Sequence, residues 1–304
     1  MRPFPRLLTS EFLKLRRSAA LRVTLFLPLL FLLIEFWVFE RPALGQPHLS
    51  PRYAAIFDTQ QIKLVGTLWA GFFHPLMLAL LPALLFRPEH RFKTWRHLQT
   101  MPASRRAFFL AKGVALLLLF VTALIIVGLG LWVERTILGR LNPAIGFPFH
   151  AFQMTKVLGW LLLGSLPLLA LYLWVSDRIN SLAVPIVFGL LGMILTISLS
   201  GQDVAQPWKR DLIPWVLSYF CAQRAMDIPQ TRQDVHVAGT LFQVEPNIIR
   251  LPNGKRVRTW QPVPDDVLFP PPAPTPTWIL GIFSLGAGAA LLGLGLADAK
   301  RNRI

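Results

Sequence analysis

Apolar residues in this chain come in blocks of about twenty, the length at which a helix rising 1.5 Å per residue crosses a hydrocarbon core of about 30 Å. Six stretches meet that length, at 20–39, 64–86, 109–133, 157–175, 182–200 and 277–297. Inside lipid every backbone N–H and C=O must be satisfied within the chain, so such blocks predict spanning helices. Composition agrees: 54% of the 304 residues are hydrophobic and 15% are charged, against roughly 25% charged in an average soluble domain. The expected fold is therefore an all-α membrane protein of about six transmembrane helices.

The segments between the blocks refine this. Residues 1–200 hold spans one to five, 201–276 form a long loop, and 277–304 hold the sixth span and a basic tail. The basic start before the first block superficially matches a signal peptide, but the block holds Pro28 and Glu35 and lacks a small-residue cleavage site; a retained first span is expected. Prolines 28, 75, 82, 167 and 185 fall inside spans, where neighbouring helices can satisfy the freed carbonyls. The small residues of the last span, Gly281 to Gly295, predict close packing on another helix. Within 201–276, two short strand-like runs flank Asn253-Gly254, a hairpin turn signal. The apolar run 212–222 is too short to cross and is expected to re-enter the membrane from one side.

The net charge of +16 reads as orientation rather than nucleic-acid binding. With the N-terminus inside, seventeen Lys and Arg fall in inner segments and six in the two short outer loops. The positive-inside rule then places both termini in the cytoplasm and 201–276 outside, in a multi-pass protein of the cytoplasmic membrane.

Reaction chemistry is scarce. One cysteine, Cys221, excludes an intrachain disulfide, and the six histidines are scattered, so no metal site is expected. No GxxxxGK[ST], HExxH or GxSxG pattern occurs. Two polar residues fall within spans. Glu35, near the outer end of the first, is expected to snorkel to the headgroups or, less simply, to line a pathway. His74, beside Pro75 in the second, is expected to be a satisfied polar group at a kink or a pathway residue.

Two inner segments carry more information. In 7–18, Leu8, Phe12 and Leu15 share a helical face, with Glu11 on the same helix and Lys14, Arg16 and Arg17 around the remainder; this predicts an amphipathic helix lying in the inner interface. In 87–106, a helix starting at Glu89 would align Phe92, Trp95 and Leu98, with Arg91 and Arg96 between them, before Pro102, Ser104 and Arg105. Such a stripe docks on a membrane surface or a cytosolic partner.

Glu11 to Arg17, then Glu89, Trp95, Pro102-Ala103-Ser104-Arg105 and Lys112 in that order, resemble the type-2 permeases of ABC transporters, including their bacteriocin-immunity and bacitracin-export branch. The resemblance implies a permease that pairs with a second permease subunit and binds a separate ATPase subunit. ATP would then be used by the partner, and no cofactor by this chain, which is not expected to be an enzyme. Glu89, Trp95, Pro102, Ser104 and Arg105 would belong to the segment that couples to the ATPase, and Glu11, Lys14, Arg16 and Arg17 to the connecting helix. The expected function is export of an amphipathic, apolar or peptide substrate. The alternative is a non-transporting assembly or sensor component whose external loop binds a partner.

Overall fold

A computed structural model describes residues 3–16, 18–41, 64–91, 104–141, 151–179, 181, 183–200, 213–225, 247–250, 256–259 and 277–301. Arg17, Phe92, Trp95, Arg96, Leu98 and Pro102 lie outside them.

Helix α1, Pro3–Leu15, ends where Ser18 turns extended, and Ser18 Oγ then accepts the Leu21 N–H to cap α2, Ala19–Glu35. A π-helical turn, Phe36–Glu40, extends α2. The second apolar block begins as a π-helix, Val65–Phe73, and tightens into α3, His74–Arg91. Helix α4, Arg105–Leu141, starts on a Ser104 cap whose Oγ accepts the Ala107 N–H. There follow α5, Ala151–Arg178; α6, Ala183–Ser200; a short α7, Pro214–Ala225; and α8, Thr277–Arg301.

Five of these helices are long and apolar enough to cross a membrane, and Ala183–Leu199 is a shorter apolar helix at the fifth expected span. The helices run through their prolines, as at Pro28, Pro82, Pro88 and Pro167. Strands β1, Asn247–Arg250, and β2, Arg256–Thr259, pair antiparallel with Arg250 opposite Arg256. The hairpin expected in the long loop is thus present, with its turn outside the described residues.

The core runs along the bundle through Phe31, Trp69, Phe73, Met77, Phe120 and Tyr172, all buried. Phe31 packs on both Trp69 and Phe73, with ring centroids 5.4 and 5.9 Å apart. Helix α7 is wedged among the π-helical segment, α5, α6 and α8, and Val216 to Ala222 are all buried. It comes this close because Gly164 has no side chain: a Cβ there would lie 2.7 Å from Ser218 Cα. Helix α8 lies on α5, with Gly281 against Trp160 and Gly288 against Leu166, as its small residues predict.

One sequence expectation fails here. Glu35 does not reach outward to water; only 1% of it is exposed. Leu32 fills the space left by Gly130 on α4, so α2 and α4 approach closely, and Glu35, about one turn beyond Leu32, is enclosed with them. Arg135 on α4 is buried as well.

Candidate functional site

At the end of the bundle that carries α1, three helices bring four charges together. The last turn of α3 supplies Glu89, the first turns of α4 supply Lys112, and α1 supplies Glu11 and Lys14. Glu11, Glu89 and Lys112 are buried, while the Lys14 side chain is half-exposed. Lys112 Nζ donates to Glu89 Oε1 at 2.9 Å, to the Leu85 carbonyl at 3.0 Å and to Glu11 Oε2 at 3.1 Å. An ammonium has three N–H donors, so every one is used. Lys14 Nζ donates to Glu11 Oε1 at 2.6 Å and to Glu89 Oε1 at 3.3 Å. The four formal charges cancel, which is what allows so polar a group to sit inside a helical bundle.

Aromatic rings wall the cluster. Lys112 Nζ lies 4.9 Å from the Phe86 ring centroid and 5.0 Å from that of Phe108, and Lys14 Nζ lies 5.4 Å from Phe108. Their electron-rich faces add attraction to each ammonium. For Lys14, burial alone would lower the pKa; the hydrogen bond and proximity to Glu11, then those to Glu89, outweigh it and raise the group above its ordinary 10.5.

Beside this cluster runs a second set of ties. Arg105 Nη2 donates to Asp177 Oδ2 at 3.1 Å. His90 Nε2 lies 2.9 Å from the Ser176 carbonyl oxygen, an acceptor only, so Nε2 carries the proton. Further along, Arg178 Nε donates to Asp298 Oδ2 at 2.6 Å, and Trp174 Nε1 donates to the same oxygen at 3.3 Å. The last turn of α3 is thus held through Glu89 and His90, and the first turn of α4 through Arg105. The first is tied to α1 through Glu89 and to α5 through His90, the second to α5 through Arg105, and the end of α5 is tied to α8.

A third polar site lies deeper. His74 Nε2 is 2.7 Å from Ser165 Oγ, and Ser165 Oγ gives its own proton to the Leu161 carbonyl. The proton between the pair therefore belongs to His74, which leaves Nδ1 as an acceptor with no partner among the described residues. Ser218 on α7, whose Cα packs on Gly164, has an Oγ that is also buried without a partner among them. Elsewhere along α7, Trp215 Nε1 donates to Tyr172 Oη at 3.1 Å, and Thr196 Oγ1, 2.8 Å from the Gly192 carbonyl, shares its proton with the Trp215 carbonyl at 3.1 Å. Among the described residues, His74 is thus satisfied at one ring nitrogen.

Of the residues singled out in the sequence, Glu11, Lys14 and Glu89 converge on one site, and Arg105 lies on the tie beside it. Ser104 is the cap of α4. Arg91 closes α3, so Glu89 lies within the helix of the second span and does not start a new one. On α1 the face against the bundle carries Glu11 and Leu15, whereas Phe12 and Arg16 lie exposed on the surface of the bundle. Pairing of Glu11 decides the rotation of the helix. Asp177 and Asp298 received no role from the sequence, and Lys112 and Arg178 only a share in the orientation count and, for Lys112, a place in the family-like order. Lys112 is the only charged residue between Ala107 and Val133, and a lone ionisable group in an apolar span was signal enough.

Among the described residues no group of His, Cys, Asp and Glu could hold a metal ion. What the arrangement near α1 offers is a set of buried charge ties between helices. Long apolar helices around such ties define a multi-pass α-helical membrane protein. Residues 7–196 match the model of a family described as "ABC-2 family transporter protein", more than half of the chain. The chain belongs to that family, the type-2 permeases of ABC transporters, as its motifs suggested. No curated protein and no solved structure matches it.

Proposed function

We propose that this chain is the membrane-spanning subunit of an ABC exporter, working as one of a pair of permease subunits with a separate ATPase. Residues 89–106 are its docking segment for the ATPase, both termini lie in the cytoplasm, and 201–276 lie outside. ATP is bound and hydrolysed by the partner. The cargo is amphipathic, apolar or peptidic, because the spans present few polar groups to it. The observation that carries this reading is the pair of charge ties at the two feet of 92–103: a loop that merely joined two spans would need neither.

Co-purification tests it. The tagged chain should bring down an ATPase subunit, and Trp95→Ala should weaken that association about thirtyfold, the effect of losing an aromatic hot spot of about 2 kcal/mol. Unchanged association and unchanged transport-linked ATP turnover in Trp95→Ala would remove the docking assignment. Reporter fusions after Arg106, Gln202 and Ile304 test orientation; an externally active reporter at Arg106 or Ile304 contradicts it.

A further inference from the structure

We propose that the meeting point of the π-helical segment, α5 and α7 is an internal hydration site, where an ordered water is held between His74 Nδ1 and Ser218 Oγ deep in the bundle. The site is independent of the exporter reading.

Three close contacts at neighbouring residues enclose it. Ser165 on α5 bonds His74 at the start of α3. One residue earlier on α5, Gly164 lets α7 approach: a Cβ there would lie 2.7 Å from Ser218 Cα and 3.0 Å from Cys221 Sγ. The next residue of α7, Tyr219, turns to the π-helical segment, where its ring lies 3.8 Å from a Cβ built at Gly71, three residues before His74. Phe120 of α4 closes a further side, its ring centroid 5.3 Å from that of His74. Both His74 and Ser218 are fully buried.

Each of the two keeps a polar atom with no partner among the described residues. Other buried hydroxyls on these helices give their proton to the carbonyl four residues back, Thr24 to Ala20, Thr196 to Gly192 and Ser284 to Leu280. Ser218 does not, so its hydroxyl is uncommitted to its own helix. On His74 the proton sits at Nε2, which makes Nδ1 an acceptor. A third polar group lies in the turn before it. Pro75 has no N–H, so a carbonyl of the buried Ala70–Gly71 turn lacks its helical donor.

Water matches this set. Its two protons satisfy two acceptors, the imidazole nitrogen and the carbonyl, while its oxygen accepts the Ser218 proton. Buried waters typically make about three such bonds. Surrounded by hydrocarbon, these groups are satisfied from within the bundle or not at all. An apolar occupant would leave all three unpaired, and a charged one would be buried without a counter-charge. The chemistry therefore selects a small neutral molecule that both donates and accepts.

The test uses the full chain in lipid nanodiscs and millisecond X-ray radiolysis, in which a bound water yields hydroxyl radicals that oxidise the side chains beside it. Cys221 is the reporter: it is buried, lies against the same Gly164 and is the one cysteine of the chain. In the unmodified chain Cys221 should be oxidised by radiolysis while staying closed to a maleimide, which is too large to enter. Ser218→Ala and His74→Leu should each lower that oxidation about fivefold, the change in occupancy for one lost hydrogen bond. Thr24→Val, which removes a hydroxyl committed to its own helix, should leave it unchanged.

A Cys221 that resists radiolysis in the unmodified chain overturns the site, and so does oxidation undiminished in both Ser218→Ala and His74→Leu. Labelling of the unmodified chain by the maleimide means a crevice open to bulk solvent and removes the ordered water. An equal fall in Thr24→Val assigns the effect to general loosening of the bundle and overturns the assignment as well.

Discussion

The end of the bundle near α1 and the region around α7 are held by different forces. Near α1, Lys112 and Lys14 sit between Glu11 and Glu89, and Arg105 is set on Asp177. Around α7, one backbone lies against another at Gly164, and the polar contacts are neutral: Trp215 to Tyr172, Thr196 to Trp215, His74 to Ser165. Charge pairs have one good geometry and fail when a partner is lost, so they suit contacts that must move together. Close packing of small residues is dense and resists displacement, so it suits a part that must stay put. The difference sets a region held by paired charges against one held by close packing.

Lys112→Met should break the contrast most severely, because it leaves two buried carboxylates sharing one half-exposed lysine. Removing one partner of such a pair costs about 3–5 kcal/mol, to be read as a lower midpoint of unfolding in detergent. Next comes Gly164→Leu, which drives a side chain into the backbone of α7 and should cost about 1–3 kcal/mol or more. Accessibility of Cys221 to a thiol reagent, shielded in the native packing, should rise with it. His74→Leu should change stability by less than about 1 kcal/mol, since it removes both a bonded nitrogen and an unpartnered one; a large fall in transport at unchanged stability would show that His74 serves the cargo instead.

The smallest effect is alkaline. The pKa of Lys14 is raised above 10.5, so its contribution is fully present below that pH and fades as pH rises through the higher folded value. A label on α1 should keep constant mobility from neutral pH up to 10.5 and gain mobility beyond it. The change should be modest, because the side chain is half-exposed.

Much of this was legible in advance, for physical reasons. Span length is set by bilayer thickness, so the helices stood out as apolar blocks, and the packing face of α8 showed as small residues. Glu11, Lys14 and Glu89 were noticed for their charge. Their meeting was not legible, because it requires α1 to fold back on α3 and α4, and nothing local states which carboxylate faces which lysine. Glu35 was misread for the same reason: its sequence neighbourhood gives its place along α2 but not that Gly130, about a hundred residues on, lets α4 close over it. The short helix α7 was visible as an apolar run too short to cross, but its burial among α5, α6 and α8 depends on Gly164 and Gly192, whose partners Ser218 and Trp215 lie far along the chain. The family match ends at residue 196, before α7 begins.

Helix α4 runs unbroken for 37 residues with Lys112 near its start and Arg135 near its end. At 1.5 Å per residue those two side chains are roughly 35 Å apart along one stiff rod, and a tilt of about 5° pivoting at Lys112 carries the level of Arg135 sideways by roughly 3 Å. Gly130, most of the way along that rod, rests on Leu32, so a tilt of α4 at the charged cluster and a shift of α2 far from it are geometrically one event.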